Sequence, residues 1–281
     1  MSDRTELRRT VTSLLVIFLA TGCGGDTGSS GKDSSSGAAS VENPVDASTA
    51  GNISGTVAFE GDAPTMDIID MAFEQVCAEK HTSTPTSQEV IVNDNGTLAN
   101  VFVYVKSGLE NLSFPTPGPA LLDQDGCAYN PHILGVMANQ DINIRNSDGI
   151  LHNINALPVD QRGFNTSQPF NMESTRSFKV VEVMIPVRCD VHGWMKAYIG
   201  VLSHPYHSVS SSDGGFDLAT LPPGDYVVEA WHEHYGIQTQ NVTVVTGETA
   251  EITFTFSASM AGAVIPLGET VDLHKHATDT D

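Results

Sequence analysis

From Gly51 onward, apolar side chains fall on alternate positions in short runs that turn residues separate. Ile53, Val57 and Phe59 share one parity until Gly61-Asp62-Ala63-Pro64 breaks the run. A period of two sends successive side chains to opposite faces of a strand. Asn93-Asp94-Asn95-Gly96 is a turn signal, and Leu98 to Val105 (LANVFVYV) after it is apolar on both faces, as in a central strand. Ile142 and Ile144 alternate up to a second turn, Asn146-Ser147-Asp148-Gly149. Phe178 to Val187 and Ala197 to Leu202 are two further strands. No window carries a long helical period, and the best helix candidate is a short stretch around Met71–Glu79. Many short strands with turns between them predict an all-β chain built as a sandwich or barrel.

Length and charge narrow the classes. The 281 residues suffice for one large or two modest domains with a real core. Thirteen Lys and Arg against 34 Asp and Glu give a formal charge of −21. A phosphate backbone would meet mostly carboxylate, so no nucleic-acid partner is expected.

Val11 to Ala20 is a ten-residue run without charge, preceded by Arg8 and Arg9. It is too short to span a bilayer of about 30 Å as a helix, so residues 1–22 read as an export signal. Ala20-Thr21-Gly22-Cys23 resembles the lipobox of bacterial lipoproteins, with Ala20 where Leu is more usual. That resemblance implies cleavage before Cys23, lipidation of its thiol and residence in a bacterial cell envelope as a periplasm-facing or surface lipoprotein. Losing three Arg, one Asp and one Glu with the signal moves the charge from −21 to −22. Residues 23–50 hold only Val41 and Val45 as large apolar side chains, a composition that stays a flexible tether. Its reach is roughly 30 Å.

The C-terminal part has its own rhythm. Gly214 to Leu221 (GGFDLATL), Pro222-Pro223-Gly224-Asp225 and Tyr226 to Trp231 are followed by strands at Val242–Val245 and Ile252–Phe256. The pattern G-x-F-x-L-x-x-L-P-P-G-x-Y resembles the carboxypeptidase regulatory-like (transthyretin-like) sandwich over about 45 residues. Strands missing from it are expected from Ile53–Phe59 or Ala197–Leu202.

Candidate chemistry sits in Arg188-Cys189-Asp190-Val191-His192-Gly193-Trp194-Met195 and in Asp148-Gly149-Ile150-Leu151-His152-Asn153. One Cys, two His and a Met are the donor set of a mononuclear electron-transfer copper site. Soft sulfur stabilises Cu(I), and imidazole accommodates both oxidation states. A structural zinc site rarely recruits Met. The spacing C-x2-H-x2-M lets one loop deliver three donors, so only His152 needs placing by the rest of the fold.

These residues resemble the cupredoxin family, and the loop length is similar to that of amicyanin. The resemblance covers roughly residues 90–203 and departs in Gly193-Trp194, where Pro and another aromatic are usual. It implies a Greek-key sandwich holding one type 1 copper. His152, Cys189 and His192 would be equatorial ligands and Met195 axial, with Asn153 tying the ligand loops together near the sulfur. It also implies electron passage through a solvent-facing edge of His192. With Cys23 and Cys189 so assigned, Cys77 and Cys127 remain, and an oxidising compartment pairs them. A closed 50-residue loop would then restrict the unfolded chain by roughly 4 kcal/mol; two free buried thiols are the alternative. His204, His207, His232 and His234 would make a second metal site if their loops meet, against the plainer reading of polar residues at strand ends.

The expected organisation is therefore 1–22 signal peptide, 23–50 tether, 51–207 copper domain, 208–258 regulatory-like β domain and 259–281 tail. The expected function is electron carriage between redox proteins with basic docking patches, from a lipid-anchored position and without enzymatic turnover. Copper delivery, and a surface interaction module with an incidental metal site, are the alternatives.

Overall fold

The computed structural model describes residues 43–261. The export signal, Cys23, most of the tether and the tail beyond 261 lie outside the described residues. In chain order the elements are β1 (Gly51–Glu60), α1 (Gln75–Glu79), β2 (Phe102–Ser107), β3 (Ala120–Gln124), β4 (Tyr129–Asn130), β5 (Ile133–Met137), β6 (Ile142–Asn146), β7 (His152–Ala156) and β8 (Phe164–Gln168). They continue with β9 (Glu173–Arg176), β10 (Glu182–Arg188), β11 (Lys196–Leu202), β12 (His207–Val209), β13 (Gly215–Leu221), β14 (Gly224–His232), β15 (Gly236–Val244) and β16 (Thr249–Ser257). Among the described residues the chain is all-β apart from α1 and one turn of 3-10 helix after β16.

Among the described residues four sheets form two sandwiches. In the first, the sheet β5-β11-β10-β7-β8 faces β4-β3-β6-β9, and Ile144, Ile154, Ile185 and Ile199 fill the space between them without solvent contact. In the second, β12-β2-β14-β15 faces β13-β1-β16, closed over Ile53, Val103, Val228, Phe254 and Phe256. The alternation of period two decides which side chains enter each core.

Strand pairing runs across the expected division between residues 207 and 208, and it brings Ile53–Phe59, one of the two expected sources of missing strands, into the second sandwich. β1 runs antiparallel to β13 and parallel to β16, from Asn52 opposite Thr249 to Glu60 opposite Ser257. β2 lies between β12 and β14. The strands of residues 51–60 and 102–107 thus belong to the second sandwich, and the first is an insert from β3 to β11. The physical reason is visible in β2. Val103 and Val105 point into the second core, while Phe102 and Tyr104 point outward onto Ile133, Leu202 and Trp231, a third apolar layer where the sandwiches meet. Apolar residues on both faces mark a covered strand without saying which sheet covers it.

The two sandwiches approach closely at this layer. A Cβ on Gly135 of β5 would lie 2.3 Å from the His207 ring, and one on Gly200 of β11 would lie 2.6 Å from the Phe102 ring. Only glycine leaves room there.

Because β1 and β2 complete the second sandwich, the fragment 208–261 is expected not to fold alone. Far-UV circular dichroism should show no cooperative thermal transition for it, whereas the whole chain should show one.

Candidate metal centre

β7 begins at His152, directly after the turn that Asn146 builds: its Oδ1 accepts from Asp148 N at 2.9 Å, and its Nδ2 donates to Ile150 O at 2.8 Å. β10 ends at Arg188, and the chain then folds back within seven residues. Cys189 N donates to Met195 O at 3.1 Å, and Met195 N to His192 O at 3.0 Å, closing the loop before β11 leaves. β7 and β10 are paired, Val187 opposite Ala156 and Arg188 opposite Asn155. Their adjacent ends bring the turn and the loop together.

The donor atoms of His152, Cys189 and His192 all lie within 4.8 Å of one another, and all three residues are buried. The two imidazoles present Nδ1 to each other at 2.9 Å. His192 Nδ1 is 3.9 Å from Cys189 Sγ. The sulfur accepts from His192 N at 3.3 Å, and its thiol faces Asn153 Oδ1 at 3.3 Å. Met195 is buried in the same core as Cys189. Asn153 Oδ1 also accepts from Asp190 N at 2.6 Å and Val191 N at 3.3 Å, a clasp between the start of β7 and the ligand loop. The two Nδ1 atoms share one hydrogen bond, and a thiol with two imidazoles converging in this way is a donor set that suits a copper ion. A second grouping, Cys127 with Asp148 and His152, offers no sulfur ligand, because Cys127 is disulfide-bonded to Cys77.

The electrostatics follow from burial and partners. Burial raises the Cys189 thiol, but hydrogen bonds from His152 and nearby backbone N–H groups outweigh that and lower it. Burial pulls His152 down, while Asp148 and Cys189 lift it to about 8. His192 is lowered by burial and then by the neighbouring His152. Burial opposes ionisation of Asp148, yet bonds from His152 and Lys80 hold its carboxyl well below the usual range.

One expectation is corrected here. His192 is 4 % exposed, and Glu74 Oε2, just before α1, stands 3.7 Å from its Nε2. The imidazole edge does not open to solvent, because the disulfide brings the α1 segment across the ligand loop. Phe73 beside it is fully exposed, as are Leu151 and Val191 in large part. Asp148, Lys80, Glu74 and Trp194, whose Nε1 donates to Cys127 O at 3.1 Å, are neighbours of the site that sequence reasoning left out as such. Asp148 carried one signal, its place four residues before His152; the contacts of the others are tertiary.

The remaining histidines do not come together as a metal set among the described residues. His204 Nε2 meets Val105 O at 2.9 Å, and His207 stacks on Phe102. His234 Nδ1 meets Glu89 Oε1 at 2.8 Å. His232 Nδ1 accepts from His234 N at 3.1 Å and Tyr235 N at 3.3 Å.

Residues 197–257 match the family model of the carboxypeptidase regulatory-like domain. The match starts inside β11 and runs through β16, so it leaves out β1 and β2 of the second sandwich. No curated protein matches the chain. Solved structures similar to part of it include the copper-containing nitrite reductase from Thermus scotoductus SA-01, at 19 % identity and a TM-score of 0.29 over 36 % of this chain and 25 % of that one. This chain thus spans about a quarter of that reductase's length. A copper(I) amicyanin variant aligns at 13 % identity and a TM-score of 0.27 over 35 % of this chain and 97 % of its own. The purple cupredoxin from Nitrosopumilus maritimus aligns at 18 % identity and 0.26 over 30 % and 99 %.

Two measurable consequences follow. Asn153→Ala leaves the N–H groups of Asp190 and Val191 without their acceptor, and should lower the unfolding free energy of the metal-free chain by about 2 kcal/mol in urea titrations. His232 is held at about 3 by burial and then by the positive fields of His234 and His132, against 6.5 for a free imidazole. In that window the unfolded chain binds a proton that the folded chain does not, so stability falls as pH drops from 6.5 toward 3. His232→Asn keeps an acceptor for His234 N and removes the titration. Its stability should depend less steeply on pH there, by up to about 1.4 kcal/mol per pH unit, as read by urea midpoints across the window.

Proposed function

We propose that this chain is a lipid-anchored copper protein that carries single electrons between redox partners of a bacterial envelope. The observation that carries the reading is the convergence of His152, Cys189 and His192 donors within 4.8 Å on one buried spot. Met195 is buried beside Cys189. Copper, when bound, supplies one-electron exchange between two stable oxidation states. His152, Cys189, His192 and Met195 would hold it, sulfur favouring the reduced ion and imidazole serving both.

The chain's own residues prepare that exchange. Asn153 and His192 N orient the Cys189 sulfur, so its position is set before any ion arrives. Burial of the three donors keeps bulk water from the site, and the surrounding dipoles then need little rearrangement when charge changes. Cys23 would tie the protein to the membrane through several acyl chains, more than the single chain that anchors only marginally. The excess of 34 acidic over 13 basic residues supports docking to basic partner surfaces through weak, salt-sensitive contacts. The cover over His192 favours a carrier over a copper-delivery protein, because a released ion would have to pass Glu74. The chain itself catalyses no substrate conversion in this reading.

Adding copper(II) to the purified chain should produce an intense visible thiolate-to-copper absorption band and the matching electron paramagnetic resonance signal. Cys189→Ser should abolish both while the far-UV circular dichroism stays unchanged. A copper(II) form without colour overturns the reading.

A further inference from the structure

Asp148 is fully buried, yet every contact of its carboxylate is a donor. Oδ1 accepts from Gly126 N at 3.0 Å and from Lys80 Nζ at 2.5 Å. Oδ2 accepts from Cys127 N at 2.8 Å and lies 2.8 Å from His152 Nε2. Three of those donors come from the segments that the Cys77–Cys127 disulfide joins, with Lys80 three residues after Cys77. The fourth is the far nitrogen of a candidate ligand. A carboxylate already met by three donors can offer His152 only an acceptor, so Nε2 carries the proton and Nδ1 keeps its lone pair. That Nδ1 is the atom turned toward His192.

We propose that Asp148 is a positioning residue for the metal centre, and that Lys80 and Cys127 on the disulfide-joined segments hold it in place. The proposal rests on the copper reading for the identity of the ion. Asp148 selects the His152 tautomer and locks the ring plane, and a carboxylate behind an imidazole also makes it a stronger donor to metal. The segment around α1 thus bears on both imidazoles, on His152 through Lys80 and Asp148 and on His192 through Glu74.

Asp148→Asn in the full chain is the test. An amide offers one acceptor oxygen where four donors converge, so either His152 Nε2 or the Lys80 side loses its acceptor. Copper(I) affinity, measured by competition with a chelator, should fall roughly 10- to 100-fold. The visible band and the reduction potential should shift with it, which loss of packing alone would not cause. Histidine 15N resonance of the metal-free chain at alkaline pH should place the His152 proton on Nε2 in the wild type and divide it between both nitrogens in the variant. Unchanged affinity, spectrum and tautomer overturn the proposal. Should the variant fail to fold, Lys80→Met decides: it should weaken copper binding in the same direction by a smaller factor, and unchanged binding overturns the proposal. The nitrogen resonances need no metal, so a colourless wild type with an altered tautomer in the variant would sink the copper reading and leave the positioning role standing.

Discussion

A carboxylate with no access to water governs the closed end of the first sandwich. A buried anion costs several kcal/mol unless a counter-charge and hydrogen-bond donors surround it. Asp148 meets that requirement by drawing on two segments distant in sequence. Gly126 and Cys127 turn their backbone N–H groups inward, and Lys80 is delivered by the short segment that follows α1. The disulfide between Cys77 and Cys127 fixes these two segments to each other. His81 adds a bond from Nε2 to Gly126 O at 2.8 Å, and Met71 enters the core behind it. What looks in sequence like an isolated helical turn is the means by which one anion is neutralised.

The same segment changes the surface that the site presents. Glu74 stands over His192, Phe73 projects into solvent, and the ligand loop adds Val191 and the turn adds Leu151. A partner approaching this end meets an apolar and acidic cover before it meets an imidazole. In the proposed carrier role the thickness of that cover would bear directly on the rate, because electron exchange falls steeply with distance.

How much of this was legible depended on whether the contacts are local. Three of the four candidate ligands occupy seven residues, so the loop that gathers them reads directly from Cys189, His192 and Met195. His152 was legible from the turn before it and the Asn after it. The all-β architecture followed from alternation at Ile53, Ile142 and Ile252. Module membership was legible in part: Ile53–Phe59 was one of two candidates for the strands missing from the second sandwich, and β1 fills that place. β2 was silent on this point, because its alternation fits either sandwich and nothing within residues 98–107 names a partner about a hundred residues away. β4, β8, β9 and β12 were also silent, being short or polar: Glu173–Arg176 has no apolar side chain, and His207–Val209 has three residues. The burial of His192 was hidden for the same reason, since Glu74 is 118 positions earlier in the chain and reaches it only through the folded disulfide segment.

The parallel register of β1 with β16 places Asn52 beside Thr249, 197 positions apart in the chain. The first described strand is therefore completed by the last described one. While the chain is still emerging from a ribosome or a channel, Ile53, Val57 and Phe59 have no sheet to join and must wait. The insert from β3 to β11 holds its own pairings and can assemble during that interval. The order of synthesis thus gives the end that carries the candidate metal centre a head start, and leaves the first described strand as the last to be sealed.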